Sequence, residues 1–385
     1  MISARRIWAV AFREVREILR DRLFFALAFL VPSTILLLLG FGLSLDVENI
    51  PIAVLDYDKS NASRDYVNRY RQSPYFDYRG EIHRLEQADD LIGRGEIRMV
   101  LVIPERFEED LTAARGATLQ TLVDGTFPSR TQILKGYLEG VNGEASLDYM
   151  AEVMGERQGR TPEAIREGLE PIKLRVRYLY NQALVSTWSI VPKLIMVVLM
   201  MSAPFLTALG IVREKESGAI YNIYASDAGV LEFLLGKITP YFVISVFNGL
   251  LLWFFAVELF SAPFKGSASF FFLSTVVYVA CTTGMGLLIS IIVKSQMAAM
   301  LATSIITMLP AVLYSGLIIP ISSLDAKASF IAHCLPAMYY ARIVDGCFLK
   351  ASPPEDMMGS LIILSLYAIA LSVVGLSLFT KRPNR

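Results

Sequence analysis

The chain has 385 residues, of which 54% are hydrophobic and 19% charged, whereas soluble domains carry about a quarter charged residues. Its 36 basic and 36 acidic side chains cancel, so no global positive field recruits nucleic acid. Three cysteines and two histidines without paired spacing exclude a disulfide scaffold and a zinc ribbon or finger, and the apolar content excludes intrinsic disorder.

Residues 1–22 predict an amphipathic helix. Ile7, Ala11, Val15, Ile18 and Leu19 share one face, and Arg13, Arg16, Glu17 and Arg20 share another. A helix of this kind, leading straight into an apolar run, lies in a membrane interface. As an anchor it only sets topology; as a lever it works against a cytoplasmic partner. The residues leave both readings open.

Leu23 to Leu45 is 23 residues without a charge, enough for one helical crossing at about 20 residues. The run is too long for a cleaved signal peptide and no A-x-A site follows it. Five more blocks come later: Leu194–Val212, Ile238–Phe260, Ala268–Val293, Gln296–Ile321 and Gly359–Phe379. The expected fold is therefore a polytopic α-helical membrane protein with six transmembrane helices. Pro32, Pro204 and Pro310 fall inside spans, where neighbouring helices can accommodate them. Arg5, Arg6, Arg13, Arg16, Arg20 and Arg22 precede span 1, while Lys381, Arg382 and Arg385 follow span 6. Arg213, Lys215, Lys237 and Lys294 fall on the same side. By the positive-inside rule both termini are cytoplasmic, and residues 46–185 and 322–358 lie outside.

Residues 46–185 hold 24 acidic and 18 basic side chains. Strands are expected at Ile50–Asp56, Tyr75–Tyr78, Arg98–Ile103 and Leu119–Val123. Helices are expected at Ser60–Gln72, with Ser60 as cap, at Leu85–Gly93 and at Glu105–Arg115. From Ser129 to about Tyr180 the chain reads as mainly helical, with breaks at Gly155 to Pro162 and at Pro171. Strands alternating with helices predict a small α/β domain inserted between spans 1 and 2. Asp56 and Asp58 after the first strand resemble a metal- or phosphate-binding edge, but without a converging His or Cys an ordinary turn is the better reading. His83 sits in a charged stretch and reads as solvated.

Arg213 to Gly236 begins with Arg-Glu-Lys-Glu, bends at Ser217-Gly218, and then repeats Ile220, Ile223 and Tyr224 at helical spacing. An apolar face on a short loop suits a partner's groove or lipid headgroups. Gly236-Lys237 fails as a phosphate loop, because Leu231 replaces the required glycine and Ile238 the Ser or Thr. No nucleotide-hydrolysis signature occurs, and the spans hold too few ionisable groups for an ion-coupled pump.

The segments from Val212 to Gly218 (V-R-E-K-E-S-G), Gly236-Lys237-Ile238-x-Pro240-Tyr241 and Gly284 to Ser290 (G-M-G-L-L-I-S) resemble motifs of the permease subunits of ABC-2 type exporters. Asp124-Gly125 with Gly136-Tyr137-x-x-Gly140 resembles the outer domain of the bacterial drug-export branch. Two positions depart from the pattern: Ala219 stands where the family usually has Thr, and Asn181-Gln182 where Asn-Pro is usual. The resemblance covers essentially the whole chain and implies its organisation. Residues 1–22 become a connecting helix carrying Ile7, Ala11, Val15, Ile18 and Leu19, and 23–45 the first span. Residues 46–185 form the extracytoplasmic domain. Residues 186–380 hold spans 2–6, with a coupling loop at 213–236 and an outer re-entrant segment at 322–358, and 381–385 a cytoplasmic tail. Arg213, Glu214, Glu216, Gly218, Ile220, Ile223 and Tyr224 would couple the permease to a partner ABC ATPase, Glu214 and Glu216 by meeting its basic groups. Pro336, Tyr339, Tyr340 and Arg342 would close the exit. The other implied partners are a second permease copy or a homologous permease, the lipid membrane, and a periplasmic adaptor. No cofactor, metal or catalytic residue is implied.

The leading reading is the permease of an ATP-driven exporter in a bacterial inner membrane, carrying a hydrophobic or amphipathic cargo. A membrane-anchored sensor or scaffold with a ligand-binding outer domain is the alternative, although the longest cytoplasmic stretch is too short for an output domain. A membrane enzyme would need clustered ionisable groups at a span end, and the sequence displays none.

Overall fold

The computed structural model describes residues 3–43, 48–113, 115–169, 177, 179–218 and 229–379. The chain divides into two compact units, Met1–Ser44 with Tyr178–Arg385, and Leu45–Arg177. The first is helical. Among the described residues, helix α1 (Ala4–Arg20) precedes six helices long and apolar enough to cross a membrane. These are span 1 (Arg22–Gly42), span 2 (Ser186–Glu216), span 3 (Val230–Leu259), span 4 (Ala268–Ile292), span 5 (Gln296–Tyr314) and span 6 (Pro354–Leu378). Each matches an apolar block, but spans 2 and 3 start earlier than their blocks, taking in Lys193, Glu232 and Lys237.

Span 2 is the axis of this unit. In its most apolar window 89% of residues are buried, against 61% in span 4 and 28% or less in the others. Glycines of the Gly284–Ser290 stretch set the packing distance. A Cβ on Gly286 would stand 2.5 Å from the Pro204 carbonyl oxygen of span 2, and one on Gly284 would stand 3.0 Å from Leu371 Cβ of span 6. Pro32 brings no N–H to the carbonyl of Ala28 four residues back. Asn248 of span 3 supplies one instead, its Nδ2 donating to that oxygen at 2.7 Å.

The second unit is α/β. Its strands are β1 (Ile50–Asp56), β2 (Phe76–Glu81), β3 (Met99–Ile103) and β4 (Gln120–Val123), in the order β2-β1-β3-β4. β1 runs parallel to β2 and β3, and β4 is antiparallel to β3. The helices are α2 (Asn61–Gln72), α3 (Leu85–Gly93), α4 (Phe107–Thr112), α5 (Pro128–Gln158) and α6 (Pro162–Leu169). Period-two alternation sends Ile52 and Val54 to a core with Tyr66, Tyr70 and Phe107, and Ala53 and Leu55 to another with Ala88 and Ile97. Ser60 caps α2, accepting from the Ser63 amide at 3.0 Å. The expected break between Gly155 and Pro162 is present: α5 runs through Gly155 and ends at Gly159, whose φ of +61° suits a helix end, and α6 starts at Pro162. Asp56 belongs to a turn, as Oδ1 accepts from the amides of Asp58 (2.9 Å) and Lys59 (3.0 Å) and Oδ2 from Ser63 Oγ (2.6 Å). His83 is exposed. The Pro171 break lies outside the described residues.

Between spans 5 and 6 the helical unit holds two helices too short to cross a membrane, α7 (Ala326–His333) and α8 (Pro336–Asp345). Tyr340 of α8 is fully buried. Its ring stacks on Tyr278 of span 4 at 4.2 Å, and its hydroxyl lies 2.7 Å from Thr275 Oγ1.

Candidate functional site

The site grows from α1 against the start of span 3. On α1, Ala11, Glu14 and Ile18 are buried and Ile7 and Val10 half-buried, one stripe at helical spacing. Gly236 allows the approach, since a Cβ there would stand 2.7 Å from Val10 Cβ and 2.8 Å from the Ile7 carbonyl oxygen. Glu232 fastens the beginning of both helices. It accepts from the Ser3 amide at 2.6 Å and the Gly229 amide at 2.9 Å, and lies 3.5 Å from Arg6.

Beyond Gly236 the apolar packing gives way to buried charge. Lys237 Nζ donates to Glu14 Oε2 at 2.6 Å and to Glu214 Oε1 of span 2 at 2.8 Å. The Tyr241 hydroxyl donates to the other Glu14 oxygen, and the Arg13 guanidinium to Glu214. The side chains of Lys237, Glu14 and Glu214 are 1%, 3% and 6% exposed. Two cations and two carboxylates leave the set neutral, which is what makes its burial tolerable. Burial nonetheless holds the Glu14 carboxyl above the ordinary carboxylate range, against the opposing pull of Lys237 and Tyr241. The hydroxyl reaches this place because span 2 carries glycine at 210, where any Cβ would overlap it. Glu14, Glu17 and Glu214 gather within 4.8 Å as a metal site would. Lys237 holds one oxygen of Glu14 and, with Arg13, one oxygen of Glu214, and Arg13 also meets Glu17. Glu214 Oε2 accepts nothing among the described residues. The chemistry is that of an ion-pair lock between α1, span 2 and span 3.

The model of the ABC-2 family transporter proteins matches residues 22–377. The chain belongs to the ABC-2 family. Among its relatives is the probable multidrug ABC transporter permease YbhS of Escherichia coli (strain K12), 29% identical over 99% of this chain and 98% of that protein. The probable multidrug ABC transporter permease YbhR of the same strain is 24% identical over 92% and 93% of the two chains. The inner membrane transport permease YhhJ is 24% identical over 99% and 98%. The protein is thus an ABC-2 permease, a multi-pass membrane protein whose family works with an ABC ATPase.

The lock explains two motifs of this ABC-2 permease. In Gly236-Lys237-x-x-Pro240-Tyr241, glycine admits α1 and the i, i+4 pair of Lys237 and Tyr241 holds Glu14. In Arg213 to Glu216, Glu214 is the third member. Glu214 therefore points inward, not toward a partner's basic groups as the sequence suggested. Glu216 is also engaged within the chain, accepting from the Gln296 amide at 3.0 Å and its Nε2 at 2.8 Å. Arg213 lies 3.0 Å from Asp21. Gly218 bends the chain as expected, with φ +73°. Ile220, Ile223 and Tyr224 lie outside the described residues.

The expected connecting-helix face divides in two. Ile7, Ala11 and Ile18 pack on the protein, whereas Val15 and Leu19 are exposed with Trp8 and Phe12. The apolar arc is wider than the groove it packs against, and hydrophobicity alone does not separate a protein-facing from a lipid-facing residue. Among the expected gate residues Pro336, Tyr339 and Tyr340 are buried and Arg342 is exposed. Sequence reasoning missed Glu14 as a site residue. Its signal was a lone carboxylate on the packed stripe, at i+3 from Ala11 and i−4 from Ile18.

Proposed function

We propose that this permease is the membrane path of an ATP-driven exporter for a hydrophobic or amphipathic molecule such as a drug, set in a bacterial inner membrane. In this reading both termini and the Glu14 lock are cytoplasmic, and the α/β unit is extracytoplasmic, where it offers a surface to a periplasmic adaptor. ATP is hydrolysed by a partner ABC ATPase and not by this chain. A second permease, identical or homologous, covers part of the exposed apolar surface of the spans. The names of the multidrug relatives support the cargo class, and the arginine-rich N-terminus supports the orientation.

The observation that carries the reading is the lock itself. It fixes α1 to spans 2 and 3 immediately before the bend at Gly218, where segment 219–228 begins. A push on that segment, or on α1, reaches the same buried ions and moves the spans as a rigid body. The test is Ile223→Asp, which places a charge in an apolar contact worth on the order of 2 kcal/mol. The variant should insert at normal abundance, lose co-purification of the ATPase and lose export. An ATPase that stays bound, with normal export, would overturn the coupling role of this segment.

A further inference from the structure

Four consecutive residues of a helix point in directions about 100° apart and so look to every side of it. At the end of span 2 those four are Arg213, Glu214, Lys215 and Glu216, and on the buried axis of the unit each meets a different neighbour. Arg213 pairs with Asp21 Oδ2 at 3.0 Å and lies 5.0 Å from the Phe24 ring, at the entry to span 1. Glu214 takes Lys237 of span 3 and Arg13 of α1. Lys215 Nζ donates to the carbonyl oxygens of Ser290 (2.5 Å) and Ile291 (3.5 Å) in the last turn of span 4. It also stands 5.9 Å from the ring of Phe379, the residue after span 6. Glu216 accepts from the first amide of span 5 and from the Gln296 side chain.

The chemistry of each contact suits the element it holds. The last carbonyls of a helix lack intrahelical donors and carry partial negative charge, and Lys215 brings a cation to those of span 4. The first amides lack acceptors and carry partial positive charge, and Glu216 brings an anion to that of span 5. Contacts of this kind fix both the position and the axial direction of a helix end.

We propose that Arg213 to Glu216 are positioning residues for transport, a hub that gathers the ends of the other five spans onto span 2 so that they shift together. Each of the four has a partner within the chain, although one Glu214 oxygen, Oε2, is buried and accepts no hydrogen bond among the described residues. The inference rests on the coupling reading above, in which segment 219–228 receives the displacement.

The test is amide hydrogen exchange on the purified permease–ATPase complex, with and without ATP plus vanadate, in wild type, Lys215→Met, Lys215→Arg and Glu216→Ala. In wild type, nucleotide should change exchange at 219–228, 288–292 and 295–300. Lys215→Met should lose the difference at 288–292 while keeping it at 219–228, and Lys215→Arg should keep it at both. Glu216→Ala, the milder change, should lose it at 295–300 alone. A wild type with no nucleotide effect at 288–300, or variants that respond there like wild type, would overturn the hub. Failure of the coupling reading looks different: no ATPase is retained and 219–228 is unaffected by nucleotide.

Discussion

Lys237 shows how much one side chain can hold. Its ammonium serves two carboxylates in a space almost closed to water. Removing one partner of such a set leaves charge buried without compensation, which costs about 3–5 kcal/mol. Lys237→Met should therefore lower unfolding stability in detergent by about that amount. Lys237→Met/Glu14→Gln should recover part of the loss, because one stranded carboxylate is gone and the two sites are in contact. A double variant with the sum of the single losses would show that the two residues do not interact. Glu14 adds a pH dependence with a definite sign. Its carboxyl is held above the ordinary value of 4.5, chiefly by burial. The folded protein thus binds that proton more tightly than the unfolded chain. The resulting stabilisation is complete below the unfolded value and disappears as pH rises through the folded one. Glu14→Gln has no such proton, so the advantage of wild type over this variant should shrink as pH rises above about 4 and through the folded value. A constant difference across that interval would contradict the burial of Glu14.

At the scale of elements, α1 is the most informative. Its width divides into three strips. One packs on span 3; one is apolar and exposed, with Trp8 70%, Phe12 46% and Leu19 60% accessible; the third carries arginines, among them Arg16, whose guanidinium sits 4.4 Å from the Phe12 ring. An exposed apolar strip beside a basic one suits the acyl–headgroup boundary. Spin labels at 8, 12, 15 and 19 should be relaxed by oxygen dissolved in lipid, and labels at 16 and 20 by a water-soluble nickel chelate. Equal relaxation by nickel at all six positions would place the helix in water. The sequence made the amphipathic helix legible but not this division, because a protein groove and a lipid tail select the same residue types. The six spans were legible for the opposite reason, as unbroken apolar runs have few alternative explanations. The beginnings of spans 2 and 3 were hidden, because Lys193, Glu232 and Lys237 read as loop until their partners on distant segments are known. In the α/β unit, β1 and β3 declared themselves through buried aliphatic residues on both faces. The end of α5 was legible only to within the interval from Gly155 to Pro162, because a glycine inside a helix is tolerated and Gly155 does not stop it.

Across the whole molecule, the helical unit is tied by charge at both ends of span 2. Opposite the Arg213–Glu216 end, Lys193 Nζ lies 3.2 Å from Asp345 Oδ2 at the end of α8 and 3.3 Å from the carbonyl oxygen of Gly316, after span 5. Burial raises the Asp345 carboxyl against the pull of Lys193 and, more weakly, of Lys350, and Lys193 is the larger of the two compensations. Without it, the cheapest relief is for the end of α8 to loosen toward water. The three cysteines report on this directly: Cys334, after α7, is exposed, whereas Cys281 and Cys347 are buried, the latter two residues beyond Asp345. Wild type should react with a thiol reagent at Cys334 alone. Lys193→Met should make a second thiol reactive, and Cys347→Ser in that background should abolish the gain. Lys193→Met/Asp345→Leu should restore the wild-type pattern, because an apolar pair of similar volume can replace a buried ion pair. In intact cells a membrane-impermeant reagent should reach Cys334 from outside, as the orientation of the arginines requires. Modification only after permeabilisation would reverse the topology. A Lys193→Met protein whose Cys347 stays silent would mean that the aromatic stack of Tyr340 on Tyr278 holds α8 without help from the charge.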